Sequence, residues 1–347
     1  PRKSKLMDAA MITPFIQHKT FDSVTLSTYL RSAESTNHWS NYGVAVKELE
    51  SRAREMLKIS DEKAVIATSS GTGALHAIVH GIREFDQVDH RVTTQDFTFP
   101  SASLGPCAGP IVVDFDQELN MQMEDTYLID YGKLCIATNC FGHLQNLDYV
   151  ISQAENLGKI LIFDNSATPY SFYKQTNSCN LGVGSCISLH HTKPIGFGEG
   201  GLAIIDKKYE ETTRRAINFG YDDNKRFSER SGNYKMSELA AAGILQWWDS
   251  FNIDELMQTY LDNYYTAKYK LTTDSDGQCF PNHSDDEFLP FCLPWIHDKP
   301  IKVEDAFYKH IECKKYYKPL RSDATINSHI VYERIMCYPV HGGVSDL

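Results

Sequence analysis

The sequence predicts an α/β protein built on a mostly parallel central sheet. Short apolar, β-rich runs alternate with helical patterns through the first 250 residues, as in a parallel sheet with helical crossovers. Several of these runs, among them AVIAT (64–68) and KILIFD (159–164), are almost wholly apolar, as buried strands are. The chain of 347 residues, at about 150 per domain, has room for two cores.

Residues 44–58 place Val44, Leu49, Ala53 and Leu57 at helical spacing with charges between them, an amphipathic surface helix. The strand AVIAT leads through SSGTG into an apolar-faced helix at 74–82. Strands follow at 91–94, 111–116, 134–138, 159–164 and 185–191, with a helix at 147–157. Beyond about residue 245 the pattern changes. One long helix is expected over 251–271, carrying Tyr260, Tyr264, Tyr265 and Tyr269 as a packed or interface face. A polar loop follows at 274–287, then short β-like runs and a helix around 303–317. These patterns divide the chain into a large α/β domain over 1–248 and a smaller α+β domain over 249–347.

Composition narrows the function. With 42% hydrophobic and 23% charged residues, the chain is an ordinary globular protein. A net charge of −11 argues against nucleic acid and anionic membranes as partners, but leaves small anionic ligands open, because pocket electrostatics are local. Nine scattered cysteines without a CxxC pair read as reduced thiols in a cytoplasmic protein, and nothing near Cys135 and Cys140 completes a metal site. The start resembles a signal peptide through Arg2, Lys3 and Lys5, but Asp8 and Pro14 interrupt the apolar stretch. No run approaches the roughly 18 apolar residues of a membrane span.

Three features sit at strand ends, where open α/β sheets gather ligands. SSGTGAL (69–75) joins a strand to a helix with small residues that admit an anion to free backbone N–H groups; it also reads as an ordinary βα turn. It lacks the Gly-Lys-Ser/Thr ending of a nucleotide P-loop. Asp164 closes KILIFD beside a pocket, or else caps the next helix. Lys193, in SLHHTKPIGFGEGG (188–201), follows a strand and precedes a glycine-dense turn that does not fit the dinucleotide fingerprint. It is either a surface lysine or one desolvated for Schiff-base chemistry. Phosphate cradle, strand-end Asp and then Lys is the order of a pyridoxal phosphate site.

These segments, together with FTFPSA (97–102), IVVDFD (111–116), FDNSA (163–167) and GNYKMSELAAAG (232–243), resemble the DegT/DnrJ/EryC1/StrS family of sugar aminotransferases over nearly the whole chain. The resemblance implies an α/β chain of PLP fold type I, the aspartate aminotransferase-like fold. It implies Lys193 as the Schiff-base lysine and Asp164 as the partner of the pyridine nitrogen. Gly71, Thr72 and Gly73 match the phosphate loop, Ser188 a further phosphate contact, and Phe99 the ring stacked on the cofactor. Asn233 or Lys235 would reach the cofactor of a second subunit, so the resemblance implies a homodimer with shared active sites; Lys235 stands where Arg or Asn is usual. His190 and His191 would shape the pocket or meet substrate, with Trp39 and His341 as further substrate candidates. Trp247 and Trp248 read as packing.

The reaction implied is transfer of an amino group from L-glutamate to a nucleotide-linked keto sugar, with the cofactor alternating between pyridoxal 5′-phosphate and its pyridoxamine (PMP) form. The GEGG ending after the lysine leans towards 4-keto-6-deoxyhexoses. A dehydratase branch of the family replaces the lysine by histidine, and this chain retains Lys193. A non-catalytic cofactor-binding protein of the same fold is the other alternative. One position departs from the pattern: the residue three after the aspartate, often His or Gln, is Ala167, which leaves the cofactor's ring hydroxyl to Asn165, Ser166 or a water. The resemblance also implies a further helix after VSDL at 344–347.

Overall fold

A computed structural model describes residues 12–123, 132–281, 287–305, 310–320 and 326–344. Two helices, α1 (Ser23–Thr36) and α2 (Val44–Met56), lead into strand β1 (Lys63–Thr68) and helix α3 (Gly71–Asp86). Strands β2 (Val92–Gln95), β3 (Ile111–Val113) and β4 (Leu134–Thr138) precede α4 (Leu147–Asn156) and β5 (Ile160–Asp164). A small hairpin of β6 (Phe172–Tyr173) and β7 (Thr176–Asn177) leads to β8 (Gly184–Ser188), β9 (Gly201–Asp206) and α5 (Glu210–Ala216). Then come α6 (Glu238–Trp248), the long α7 (Ile253–Asp274), β10 (Gln278–Cys279), β11 (Leu293–Ile296), α8 (Ile326–Arg334) and β12 (Ile335–Tyr338).

Seven strands form the main sheet in the order β1-β9-β8-β5-β4-β2-β3, and β10-β11-β12 form a second, antiparallel sheet. In the main sheet β9 alone runs against its neighbours, so β1, β2, β4, β5 and β8 all end at one edge. Side chains alternate between the two faces. Ala64 and Ile66 of β1, with Ala203 and Ile205 of β9, pack under α3, whereas Val65, Ala67, Leu202 and Ile204 pack under α2, α6 and α7. Both faces are covered, which explains the continuous apolar runs in the sequence.

The described residues of 303–317 do not form the expected helix. A 3-10 turn spans Val303–Asp305, and Ile311 and Lys314 form isolated β-bridges to Thr13 and Cys337. Thr13 N donates to the His310 carbonyl at 2.8 Å and Glu312 N to the Thr13 carbonyl at 2.9 Å, while Lys314 and Cys337 exchange backbone bonds at 3.1 and 2.7 Å. These groups are satisfied by chain from both ends of the sequence, a non-local pairing that overrides a local helical pattern. Part of the expected 274–287 loop lies outside the described residues, as do the segment after Val344 and the N-terminal Arg2, Lys3, Lys5 and Asp8. All nine cysteines are buried free thiols.

Helix α6 ties this scaffold to the sheet edge. At its start the buried Glu238 carboxylate caps α2, accepting from Ala45 N at 2.8 Å and Val46 N at 3.3 Å, because Gly43 at the N-cap has no side chain to do so. A Cβ on Gly43 would lie 2.5 Å from that carboxyl carbon. At the other end of α6, Trp247 and Trp248 donate their indole N–H groups to the Pro194 and Ile195 carbonyls at 3.2 and 2.7 Å. The packing expected of these tryptophans is therefore also a pair of hydrogen bonds to the turn after Lys193. Replacing Glu238 by Gln puts an amide N–H against the N-terminus of α2, and should cost about 1–2 kcal/mol in urea unfolding. Unchanged stability would show that the cap is idle.

Candidate active site

A cavity of about 380 Å³ opens where the co-directional strands β1, β4, β5 and β8 end. Its floor follows from local structure. Ser70 caps α3 by accepting from Gly73 N at 3.0 Å, so Gly73 is spent on the cap and does not line the cavity, and the N–H groups of Gly71 and Thr72 are left at a positive helix end. Gly71 is required by crowding: a Cβ there would sit 2.9 Å from Ser188 Cβ. Ser70, Gly71, Thr72 and Ser188 all line the cavity.

Asp164, 1% exposed, ends β5 on the same floor. Among the described residues its hydrogen bonds fall on Oδ1, from Ser166 N at 3.0 Å and the Cys186 thiol at 3.3 Å, so Oδ2 is left for the cavity. Asp164 is thus neither a helix cap nor half of a protein ion pair. Lys193 enters from the turn after β8. Burial pulls its ammonium down to about 8, against the opposing pull of Asp164, and Nζ lies 4.4 Å from the centre of the Phe291 ring.

The other sequence candidates divide between rim and periphery. Phe99, 52% exposed, stands at the cavity. His190 lines it too; its Nδ1 accepts from Thr192 N at 3.2 Å, and its Nε2 lies 3.4 Å from Glu199 Oε1. His191, Trp39, His341, Asn233 and Lys235 do not line it. His191 packs edge-on against Phe197, and burial lowers its pKa. Trp39 donates to Asn37 Oδ1 at 3.2 Å. His341 is buried, with Nε2 on the Pro14 carbonyl at 2.9 Å and Nδ1 accepting from Gly343 N at 3.1 Å, a tie between the two ends of the described chain. Lys235 Nζ donates to Asn218 and Asn233 side chains, both at 2.8 Å.

The cavity also uses residues that sequence reasoning missed. Thr138 and Asn139 come from the end of β4, and Phe291, Tyr316 and Tyr317 form an aromatic wall supplied by the C-terminal part of the chain. Beside Ala167, Ser166 faces the cavity, whereas Asn165 is spent in a buried network with Asn139 and Ser185. Lys19, 9% exposed, was also missed. It donates to the carbonyls of His191 at 2.9 Å, Lys193 at 2.5 Å and Gly196, and burial pulls it down to about 7. FTFPSA and the strand ends could have pointed to the floor. Nothing local marks Lys19 or the aromatic wall.

Among the described residues no group of three or more His, Cys, Asp or Glu side chains could hold a metal ion, and no helix is long and apolar enough to cross a membrane. The chain resembles the dTDP-4-amino-4,6-dideoxy-D-glucose transaminase of Shigella dysenteriae, with 23% identity over 92% of this chain and 91% of that one. Its fold resembles that of DesI, solved in the presence of its TDP-sugar product, with a TM-score of 0.81, 19% identity, and coverage of 97% of this chain and 90% of that one. It also resembles Helicobacter pylori PseC, an aminotransferase involved in the biosynthesis of pseudoaminic acid, with a TM-score of 0.80, 16% identity, and coverage of 96% of this chain and 95% of that one. Residues 23–284 match the model of one family. The chain belongs to the DegT/DnrJ/EryC1/StrS aminotransferase family and is a pyridoxal phosphate-dependent sugar aminotransferase.

Proposed function

We propose that the protein transfers the amino group of L-glutamate to the keto carbon of a nucleotide-linked sugar, a 4-keto-6-deoxyhexose, and that two copies share their active sites. The observation that carries this reading is a buried amine, Lys193, lining one cavity with a buried carboxylate and an open helix N-terminus. The donor set fits pyridoxal 5′-phosphate. The cradle at Gly71 has no room for a Cβ, and Asp164 keeps one oxygen for the cavity. When bound, the cofactor supplies an aldehyde carbon for Lys193 and a ring that takes up the electron pair of a breaking C–H bond.

Each residue then has a task. The N–H groups of Gly71 and Thr72 and the hydroxyls of Thr72 and Ser188 would hold the phosphate. Asp164 Oδ2 would keep the ring nitrogen protonated, and Phe99 would cover the ring from the cavity mouth. Lys193 Nζ would take the proton from the glutamate α-carbon and return a proton in the reverse half-reaction. A pKa near 8 leaves roughly a tenth of it neutral at pH 7, where an ordinary lysine is almost wholly charged. Retention of this lysine favours transamination over dehydration. His190 would meet the substrate.

Asn233 and Lys235 lie outside their own chain's cavity. Their loop neighbours Phe219, Tyr221 and Phe227 are 43%, 47% and 73% exposed, apolar surface suited to burial against a second copy. Lys235 would then reach the neighbour's phosphate. The smaller part of the chain, from 249 on, would close the cavity through Phe291, Tyr316 and Tyr317.

Adding L-glutamate to the yellow, cofactor-loaded protein should bleach it, and the amino sugar should form only when glutamate is present. Product formed without glutamate would indicate dehydration instead. Lys193→Ala should abolish bleaching and lower turnover by about a hundredfold or more while the circular dichroism spectrum is unchanged. A variant that still turns over would mean another amine does this work. Gly71→Ala should weaken cofactor binding about tenfold, some 1.4 kcal/mol, in equilibrium titration of the cofactor-free protein. Lys193 must be neutral to attack, and its pKa is lowered. The rate of colour development on mixing cofactor-free protein with cofactor should therefore rise with pH to a midpoint near 8. A midpoint at the ordinary lysine value would contradict its desolvation.

A further inference from the structure

We propose that Lys19 is a positioning residue for this reaction, a buried cation that holds the backbone turn carrying Lys193 in its working shape. Three carbonyls of that turn, those of His191, Lys193 and Gly196, converge on one point, and Lys19 Nζ occupies it. Converging carbonyl dipoles repel one another, and three acceptors around one Nζ favour its ammonium form, with three N–H donors, against the burial that pulls it down to about 7. The Trp247 ring lies beneath the same ammonium, 5.2 Å from its centre, and Trp247 and Trp248 hold the two carbonyls between, Pro194 and Ile195.

The carbonyls of residues 191, 193, 194, 195 and 196 are therefore all held by side chains from other parts of the fold. The turn's own bonds, Lys193 N to the His190 carbonyl at 2.8 Å and Gly196 N to the Lys193 carbonyl at 3.0 Å, cannot by themselves fix where the turn sits against the sheet. Lys19 makes that attachment from 174 residues away, just ahead of α1, whose N-cap Asp22 is bonded through its own N–H to Gln246 of α6 at 3.0 Å. Lys19 does not line the cavity; it acts through the backbone of Lys193.

The inference rests on the assignment of Lys193 as the covalent lysine, and its test has one arm independent of that assignment. Lys19→Met removes all three donors, and Lys19→Gln keeps two. In the cofactor-free protein, hydrogen exchange at the amides of 191, 193, 196 and 197 should quicken tenfold or more in the Met variant and less in the Gln variant, with the amides of β1 and β5 unchanged. In the loaded enzyme kcat should fall at least tenfold while KM for glutamate stays within threefold. If Lys193 is not the covalent lysine, Lys193→Ala will retain turnover while the exchange result stands. Exchange within twofold of the parent overturns the inference. So does faster exchange with an unchanged kcat, uniform acceleration over the whole chain, or failure of both variants to fold, each of which makes Lys19 a general structural residue.

Discussion

The constraint on which the structure turns is the burial of a primary amine beside a carboxylate without letting the two neutralise each other's function. Lys193 is desolvated enough to fall to about 8, yet Asp164 still pulls in the opposite direction. A closer or better-bonded pair would hold the lysine charged. The fold keeps them apart in role by giving Asp164 Oδ1 to Ser166 N and the Cys186 thiol, and by stacking the lysine over Phe291. Each group is anchored by neutral partners, so each keeps its charge state available for a ligand.

A parallel sheet is what makes this arrangement compact. Because β1, β2, β4, β5 and β8 end at one edge, the helix N-terminus, Asp164, Ser188 and Lys193 reach a common cavity from distant parts of the chain. The antiparallel β9 has a second consequence. Its pairing with β1 and β8 brings the glycine-dense turn back over the sheet edge, where Gly201 would collide with the Ser70 carbonyl at 2.3 Å if it carried a Cβ. Gly196 and Gly201 of that turn reflect close backbone approach, whereas Gly198 stands in open space with a φ of +64°.

What was legible in the sequence was what is local. Asp164, Lys193 and the SSGTG turn each lie at the end of a short apolar strand, so strand periodicity alone places them at one sheet edge. Lys19 carries no such mark. Its neighbours Gln17, His18 and Thr20 are ordinary, and its meaning arises from three carbonyls more than 170 residues away. The stretch at 303–317 failed for a related reason. Its pattern suits a helix locally, but the backbone groups of 310–314 are paired with Thr13 and Cys337, and only that pairing delivers Tyr316 and Tyr317 to the cavity. His341 was singled out for its chemistry, yet both ring nitrogens are occupied by backbone.

An acidic chain must still hold anions, and the cavity shows how little cationic charge it devotes to them. Of the two buried lysines nearest the site, Lys19 is committed to backbone carbonyls and Lys193 to chemistry. On the proposed reading, anion recognition within one chain would therefore fall to neutral donors, the first turn of α3 and the serine and threonine hydroxyls around it. Backbone N–H groups are well suited to this, since they carry no charge to desolvate and no proton to lose. If Lys235 reaches a partner's phosphate as proposed, its place on a loop outside its own chain's cavity would separate the binding charge from the reactive amine. Had Lys235 shared the cavity, its charge would have depressed Lys193 further and competed for Asp164.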